Sequence, residues 1–230
     1  MSHTLNAAPV GPLHAAAVET LSAWHAPDMH QRALCEAFLG FLAARDDACR
    51  RSCAPGHLTA SALVVNAVGS ATCLVHHRIV GSWLQPGGHL EGDDASLAGA
   101  ALREATEETG LAGLQVDPVP IGLDVHPITC RGAAGPTRHF DVRFLVLGDG
   151  EPVTSAESHA VRWFGFDALP DGLRDEVAEL VRLARQRLEG GLARPQRLGD
   201  GLAQPRRQLD GRAGARPLRP TTTAEAHVHR

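Results

Sequence analysis

The 230-residue sequence contains no lysine and no tyrosine, and aromatic residues make up only 4% of it. All 22 basic residues are arginines, which together with the abundant Ala and Gly indicates the codon bias of a GC-rich genome. The formal net charge of -4 and the pI near 6.3 give no overall attraction to nucleic acid or to anionic membranes. We therefore expect no nucleic-acid partner, and any phosphate binding must be local.

Paired cysteine motifs are also absent. The five cysteines are odd in number and show no Cys-x-x-Cys spacing, which argues against a disulfide framework or a zinc ribbon and favours a reducing cytoplasm. Cys49, Cys53 and His57 recur every four residues and could hold a metal from one helix face, but three ligands without a fourth favour packing.

Long apolar runs are missing as well. No stretch approaches the roughly 18 apolar residues that cross a bilayer. The first 20 residues lack a basic region followed by a long apolar one, so they do not resemble a secretory signal. These absences predict a cytoplasmic chain with no membrane partner.

The two ends of the chain differ from its middle. Residues 1–54 contain two helix-like patterns, at 13–24 and 29–45, which predict an N-terminal helical hairpin. The second pattern places apolar side chains on one face, for packing against the core or against a second copy in a homodimer: Leu34, Phe38, Phe41 and Leu42. Residues 190–230 are rich in Gly, Pro and Arg without hydrophobic period, which predicts a disordered tail; a basic interaction tail is the alternative.

Residues 55–189 carry the strand patterns. Two apolar strands are predicted around a turn at Gly69 and Ser70, and a Gly-rich turn follows at 86–89. Further strand-like stretches are at 115–128, 138–147 and 160–166, before a last helix at 175–187. The middle of the chain is therefore predicted to be an α/β domain with a central sheet.

A helix is predicted at 96–109, with Gly110 as its C-terminal cap and Asp93, Asp94 or Ser96 at its start. Glu104, Glu107 and Glu108 sit at i, i+3 and i+4, so their carboxylates share one face and repel one another. One explanation of these three glutamates is an acidic helix face exposed to solvent, which is the usual meaning of a charge run. Oxygen-only ligands this close together favour a hard divalent cation, Mg²⁺ or Mn²⁺, and hence phosphoryl or nucleotidyl transfer.

The segment GGHLEGDDASLAGAALREATEETGL, residues 87–111, resembles the signature box of the Nudix hydrolases. Its Arg-Glu-x-x-Glu-Glu-x-Gly core is complete, and the matching positions are Gly88, Arg103, Glu104, Glu107, Glu108, Gly110 and Leu111. The loop half departs from the pattern: Asp94 replaces a glutamate, eight residues instead of seven separate it from Arg103, and Ala105 replaces a larger aliphatic residue. The extra residue puts the role of Asp94 in question and leaves the helix intact.

The resemblance implies an α/β/α sandwich around a mixed sheet and hydrolysis of a phosphoanhydride bond in a nucleoside diphosphate linked to another group. It also implies that Arg103 orients the glutamates, with Glu104 or Glu107 as general base. The implied metal ligands are the Gly88 carbonyl, Glu104, Glu107 and Glu108, with Glu157 as a further acid six residues before Trp163.

Substrate identity is indicated only faintly. Pro127, sixteen residues after Leu111, lies near a proline position typical of ADP-ribose hydrolases in the family, which favours ADP-ribose or a similar sugar nucleotide. His89, His126 and His139 fall near predicted strand ends or the metal loop, and we interpret them as structural or surface residues. The alternatives are a non-catalytic Nudix-like nucleotide sensor or interaction module and an isopentenyl diphosphate isomerase, although the box lacks the cysteine that an isomerase needs.

Overall fold

The computed structural model describes residues 11–130, 136–156, 158–191 and 196–197, and every structural statement below concerns these residues. The helices are α1 (Pro12–Ala23), α2 (Met29–Ala44), α3 (Leu97–Thr109) and α4 (Asp175–Glu189). The strands are β1 (His57–Val65), β2 (Ala71–His77), β3 (Trp83–Leu84), β4 (Gly87–His89), β5 (Gln115–Val116), β6 (Gly122–Ile128), β7 (Thr137–Leu147), β8 (Ser158–Gly165) and β9 (Gln196–Arg197).

Strand β1 is the centre of one mixed sheet. Along one edge it pairs in parallel with β7, from His57 opposite His139 to Val65 opposite Leu147. Its other edge is divided, because β4 pairs antiparallel with the first half of β1 and β2 with the second half. Strands β3 and β8 then extend the sheet from β2, while β5 and β6 pair with β7. Most of the segment predicted as a Gly-rich turn is therefore strand β4, which lies beside the first half of β1.

Both faces of the sheet are covered by helices. All nine residues of β1 are buried, and successive side chains point to opposite faces. Val64 packs in the core that includes residues of α1, α2 and α3, whereas Leu63 packs in a second core with residues of α4. This arrangement confirms the predicted α/β/α sandwich around a mixed sheet.

The N-terminal helices belong to the first of these cores. Phe38 and Leu42 of α2 are almost fully buried in the same core as residues of α3. These two residues of the apolar face of α2 therefore pack against the core of the same chain, which was one of the two packing arrangements predicted. The Gln31 side chain exchanges two hydrogen bonds with the backbone of Leu123, at 3.1 and 2.7 Å. Trp24 Nε1 donates to the Pro120 carbonyl at 2.6 Å. The hairpin is thus attached to the start of β6.

One strand prediction needs correction. The stretch 115–128 is divided into β5 and β6, because Pro118 and Pro120 lack the N–H groups that a continuous ladder requires. Gln196–Arg197, which belong to the predicted disordered tail, pair antiparallel with β5. Most of the remaining tail lies outside the described residues. None of the described helices is long and apolar enough to cross a membrane.

Candidate active site

Helix α3 carries the acidic cluster and has well-formed ends. The Ser96 side chain accepts a hydrogen bond from the backbone N–H of Gly99, which decides between the three predicted caps. Gly110 ends the helix with φ +66°, a left-handed conformation in which glycine is strongly favoured. Ala105 is fully buried, so the small residue at this position packs against the core. The local sequence therefore determines where the helix begins and ends.

The three glutamates of α3 differ in their surroundings. Glu108 is only 8% exposed and lines a cleft that also contains Gly88. The side chain of Glu104 is 14% exposed, whereas that of Glu107 is 60% exposed. The carboxylates therefore extend from the interior of the cleft to the solvent.

Arg103 connects this cluster to the preceding loop. Its Nη1 donates to Glu104 at 2.9 Å and to Glu107 at 3.2 Å, and its Nη2 donates to the His89 carbonyl at 3.1 Å. Two further hydrogen bonds of 3.1 Å join the guanidinium to both carboxylate oxygens of Asp94. Burial acts to lower the pKa of Arg103, but Asp94 and Glu104 outweigh it and raise the pKa above its ordinary value.

Asp94 acquires a definite role from this geometry. Its side chain is 6% exposed, and besides binding Arg103 it accepts a hydrogen bond from the Glu91 backbone N–H at 2.7 Å. The loop between Glu91 and Ser96 thus accommodates the extra residue of the box. Asp94 holds Arg103, and Arg103 in turn holds Glu104 and Glu107.

The two glycines of β4 allow close packing on both sides of this strand. A Cβ atom at Gly87 would lie 2.3 Å from Ser61 Cβ and 2.6 Å from Ser61 Cα. At Gly88 it would lie 2.6 Å from Glu104 Oε1. The Glu104 carboxylate therefore packs directly against the Gly88 backbone, which is an arrangement that only glycine permits without displacement.

A second polar cluster also lines this cleft, and it could not be recognised from the sequence motifs. Asp141 is buried and accepts hydrogen bonds from Thr59 at 3.1 Å, Ser61 at 2.7 Å and Arg143 at 3.0 Å. Arg143 also pairs with Asp124 at 3.0 Å. The signal for this cluster is the polar residues at alternating positions of two otherwise apolar strands, β1 and β7.

His126 and Pro127 of β6 also line this cleft. His126 Nδ1 lies 2.8 Å from Asp124 Oδ2. Burial raises the pKa of Asp124, but His126, Arg143 and Arg174 have the larger combined effect and lower it below its ordinary value. Asp124 is therefore favoured as a carboxylate in the folded chain.

The histidines singled out from the sequence come together in space. The rings of His89 and His139 have centroids 5.0 Å apart, and the same distance separates each of them from His57. Burial, Arg51 and His57 lower the pKa of His89 to about 4. Burial and the neighbouring imidazoles, followed by Arg51, lower the pKa of His139 to about 3. Both rings are therefore neutral near pH 7.

The remaining predicted residues lie elsewhere. His57 begins β1, so it does not share a helix face with Cys49 and Cys53. Cys53 Sγ instead donates to Asp47 at 3.3 Å, and Cys49 packs against the first core. Glu157 lies outside the described residues.

The donor set of α3 fits a divalent metal. The Glu104 carboxylate packs against the Gly88 backbone, and Glu108 lines the same cleft as Gly88. Carboxylate and carbonyl oxygens are the ligands that Mg²⁺ and Mn²⁺ prefer. Arg103 is the cation that directly bonds two of the three glutamates.

Comparisons with known proteins identify the family of the chain. The family model described as the NUDIX domain matches residues 55–184. A comparison with curated proteins found no match. The chain belongs to the Nudix family. It is accordingly a Nudix hydrolase, an enzyme of the pyrophosphatase type.

Several solved structures resemble the chain. A NUDIX-family hydrolase from Clostridium perfringens is 21% identical, with 56% of this chain and 96% of that chain covered and a TM-score of 0.44. The Nudix hydrolase RenU from M. smegmatis is 24% identical, with coverages of 59% and 85% and a TM-score of 0.41. A UDP-X diphosphatase is 21% identical, with coverages of 77% and 92% and a TM-score of 0.44.

Proposed function

We propose that the chain is a Mg²⁺-dependent hydrolase that cuts the phosphoanhydride bond of ADP-ribose or a similar sugar nucleotide. The observation that carries this proposal is that Glu104 packs against the Gly88 backbone while Glu108 lines the same cleft as Gly88. Mn²⁺ offers the same ligand chemistry and is the alternative ion.

The metal would be held by the Gly88 carbonyl, Glu104, Glu107 and Glu108, with Glu157 as the further acid. When bound, a divalent cation polarises phosphate oxygens, offsets the charge that builds on the leaving phosphate and lowers the pKa of an attacking water. Glu108 suits direct coordination because it is nearly buried and lines the cleft.

Arg103 positions the two candidates for the general base. Its hydrogen bonds to Glu104 and Glu107 restrict their rotamers, and its own orientation is set by Asp94. A general base must lie within hydrogen-bonding distance of the attacking water. The Arg103 hydrogen bonds would orient the carboxylates of Glu104 and Glu107 for this task before the substrate binds. Glu104 lies deeper and is the more sheltered of the two.

The substrate preference rests on a further part of the cleft wall. Pro127 lines it, as does Arg174, which also forms an ion pair with Glu176. Arg143 is already matched by the carboxylates of Asp141 and Asp124. The wall thus offers polar groups with nearly balanced charge, which suits the hydroxyl-rich part of a sugar nucleotide better than a further run of phosphates.

A cytoplasmic location forms part of the proposal. All five cysteines are free, and a reducing compartment preserves that state.

The decisive experiment is a substrate panel analysed by mass spectrometry. Purified protein with Mg²⁺ is incubated with ADP-ribose, a UDP-sugar, a dinucleoside polyphosphate, NADH and coenzyme A in heavy-oxygen water, so that the label identifies the phosphorus attacked. We expect ADP-ribose to give AMP and ribose phosphate at the highest rate. Glu108→Gln is the inactive control, and Glu19→Gln, an exposed change on α1, is the matched control with full activity.

The sensor alternative predicts a different outcome. A non-catalytic Nudix-like module would bind Mg²⁺ and nucleotide without turning any substrate over. Binding measured by calorimetry with no product from any compound of the panel would refute the hydrolase proposal. Turnover confined to another substrate would refute the preference for a sugar nucleotide alone.

A further inference from the structure

Four side chains with nitrogen or sulfur donors converge beside the active site. His57, His89, Cys130 and His139 each offer one ligand atom, and these four atoms all lie within 4.8 Å of one another. His57 is 1% exposed and Cys130 6% exposed, and the other two histidines are partly buried. The cluster, which we call the His₃Cys cluster, is separate from the glutamates of α3.

The sulfur–nitrogen distances in the cluster fit a tetrahedral zinc site. Cys130 Sγ lies 3.3 Å from His139 Nε2, 3.5 Å from His89 Nε2 and 3.7 Å from His57 Nε2. Zinc bonds of about 2.3 Å to sulfur and about 2.05 Å to nitrogen, meeting at a tetrahedral angle, place sulfur and nitrogen about 3.6 Å apart. The three distances fall around this value, and all three histidines present the same ring nitrogen.

Hydrogen bonding alone would hold this arrangement only weakly. The thiol can donate its one proton to a single imidazole, and its sulfur is a weak acceptor for N–H groups of the others. Three ring nitrogens surround the same sulfur within 3.7 Å. A shared cation satisfies all four ligand atoms together, because each then directs a lone pair toward one point.

The four ligands come from separate segments that the sheet brings together. His57 begins β1, His89 ends β4, His139 lies in β7 and Cys130 follows β6. The register places His57 opposite His139, while His89 pairs with Thr59, two residues further along β1. Ligands on paired strands have little freedom to move, so the site is pre-organised.

We propose that this His₃Cys cluster binds a zinc ion as a closed structural site. Four protein ligands leave no position for a substrate, in contrast to catalytic zinc sites. Thiolate and imidazole select Zn²⁺ over Mg²⁺, so the two metals occupy different sites. Binding converts the Cys130 thiol to a thiolate, and its proton is released to solvent.

The zinc site would also brace the catalytic centre. His89 directly follows Gly88, and its backbone carbonyl accepts a hydrogen bond from Arg103 at 3.1 Å. A metal bond to the His89 imidazole therefore restrains β4. Arg103 donates a hydrogen bond to this strand, and Glu104 packs against it. His89 is thus a positioning residue, and we expect removal of zinc to lower stability as well as activity.

The test measures zinc in the full-length protein by elemental mass spectrometry after purification from zinc-supplemented cells. We expect about one zinc per chain in the native protein, as a closed four-ligand site requires. Cys130→Ser and His139→Ala should lose it. Cys35→Ser is the matched control, because Cys35 is a single buried cysteine with the same 6% exposure, and it should keep the metal.

A second measurement covers variants that fail to fold. Protein refolded or grown with Co²⁺ should show the visible absorption of tetrahedral cobalt and a thiolate charge-transfer band, both lost in Cys130→Ser. Native protein with zinc below about one tenth per chain and no such spectrum would overturn the proposal. Full zinc retention in Cys130→Ser would do so as well. Mg²⁺-dependent hydrolysis uses other ligands, so failure here would not by itself contradict the proposed function.

Discussion

The acidic face of α3 gives the sharpest prediction, which is that Mg²⁺ raises the thermal stability of the chain. Arg103 binds Asp94, Glu104 and Glu107, and Glu108 lies close by on the same helix. The glutamates at i, i+3 and i+4 of one helix face repel one another when they are ionised. A bound cation offsets this repulsion, and the folded helix together with Gly88 provides the ligand set.

The size of the effect follows from mass action. At free Mg²⁺ about 100 times its dissociation constant, one site that binds only the folded state adds roughly 2.7 kcal/mol. For a chain of this size roughly 2–4 °C accompanies each kcal/mol, so the melting temperature should rise by about 5–11 °C. Differential scanning fluorimetry over a Mg²⁺ titration measures the shift. Mg²⁺ is the suitable ion because it does not compete for the His₃Cys cluster.

The double variant Glu104→Gln, Glu108→Gln should separate a metal site from a solvated acidic face. Loss of two charges relieves repulsion, and the side-chain amide oxygen introduced at position 104 can still accept a hydrogen bond from Arg103, so the metal-free protein should melt no lower. The Mg²⁺-dependent rise should disappear. The control is Glu19→Gln, Glu36→Gln, two exposed changes on α1 and α2, which should keep the full rise. A native protein without any shift, or a double variant that retains it, would refute the assignment of these ligands.

Three further outcomes are expected. Glu108→Gln should lower kcat by at least about 100-fold at saturating Mg²⁺ while circular dichroism stays unchanged, and unaltered kinetics would remove Glu108 from the site. Gly110→Ala should lower the free energy of unfolding, measured with denaturant, by about 1–3 kcal/mol. The reason is that φ is +66° and a new Cβ would lie 2.8 Å from Val153 Cβ. An unchanged free energy of unfolding would contradict this prediction. Folding lowers the pKa of Asp124, so Asp124→Asn should lower the free energy of unfolding at pH values above the ordinary carboxyl pKa. The difference in free energy of unfolding between native protein and variant should vanish as the pH falls through the pKa of Asp124 in the folded chain. A difference that does not depend on pH would contradict this prediction.

The local part of the site could be predicted from the sequence. Ser96 and Gly110 act within one helical turn of α3, and the glutamates share a face because of the helical period, so neighbouring residues contain this information. The Asp94 contact was harder to predict, because one extra residue shifts the loop spacing while the structure still brings both carboxylate oxygens to Arg103.

The non-local part could not be predicted in the same way. Asp141 meets Thr59 across 82 residues, and this contact depends on the parallel register of β1 with β7. The same register unites His57 with His139, whereas the four-residue spacing of Cys49, Cys53 and His57 suggested a grouping that does not form. The spacing of residues in the sequence predicts which side chains share a helix face, but it does not predict which distant strands become neighbours.

The parallel pairing of β1 with β7 also sets an order of events during folding. Residues that pair in these strands are 82 apart, so a long loop must close before the sheet is complete, and α3 lies inside that loop. Chains dominated by such distant contacts fold in roughly milliseconds to seconds. On the ribosome α3 is synthesised before β7. The pairing of β1 with β7 therefore cannot yet form when the acidic helix emerges.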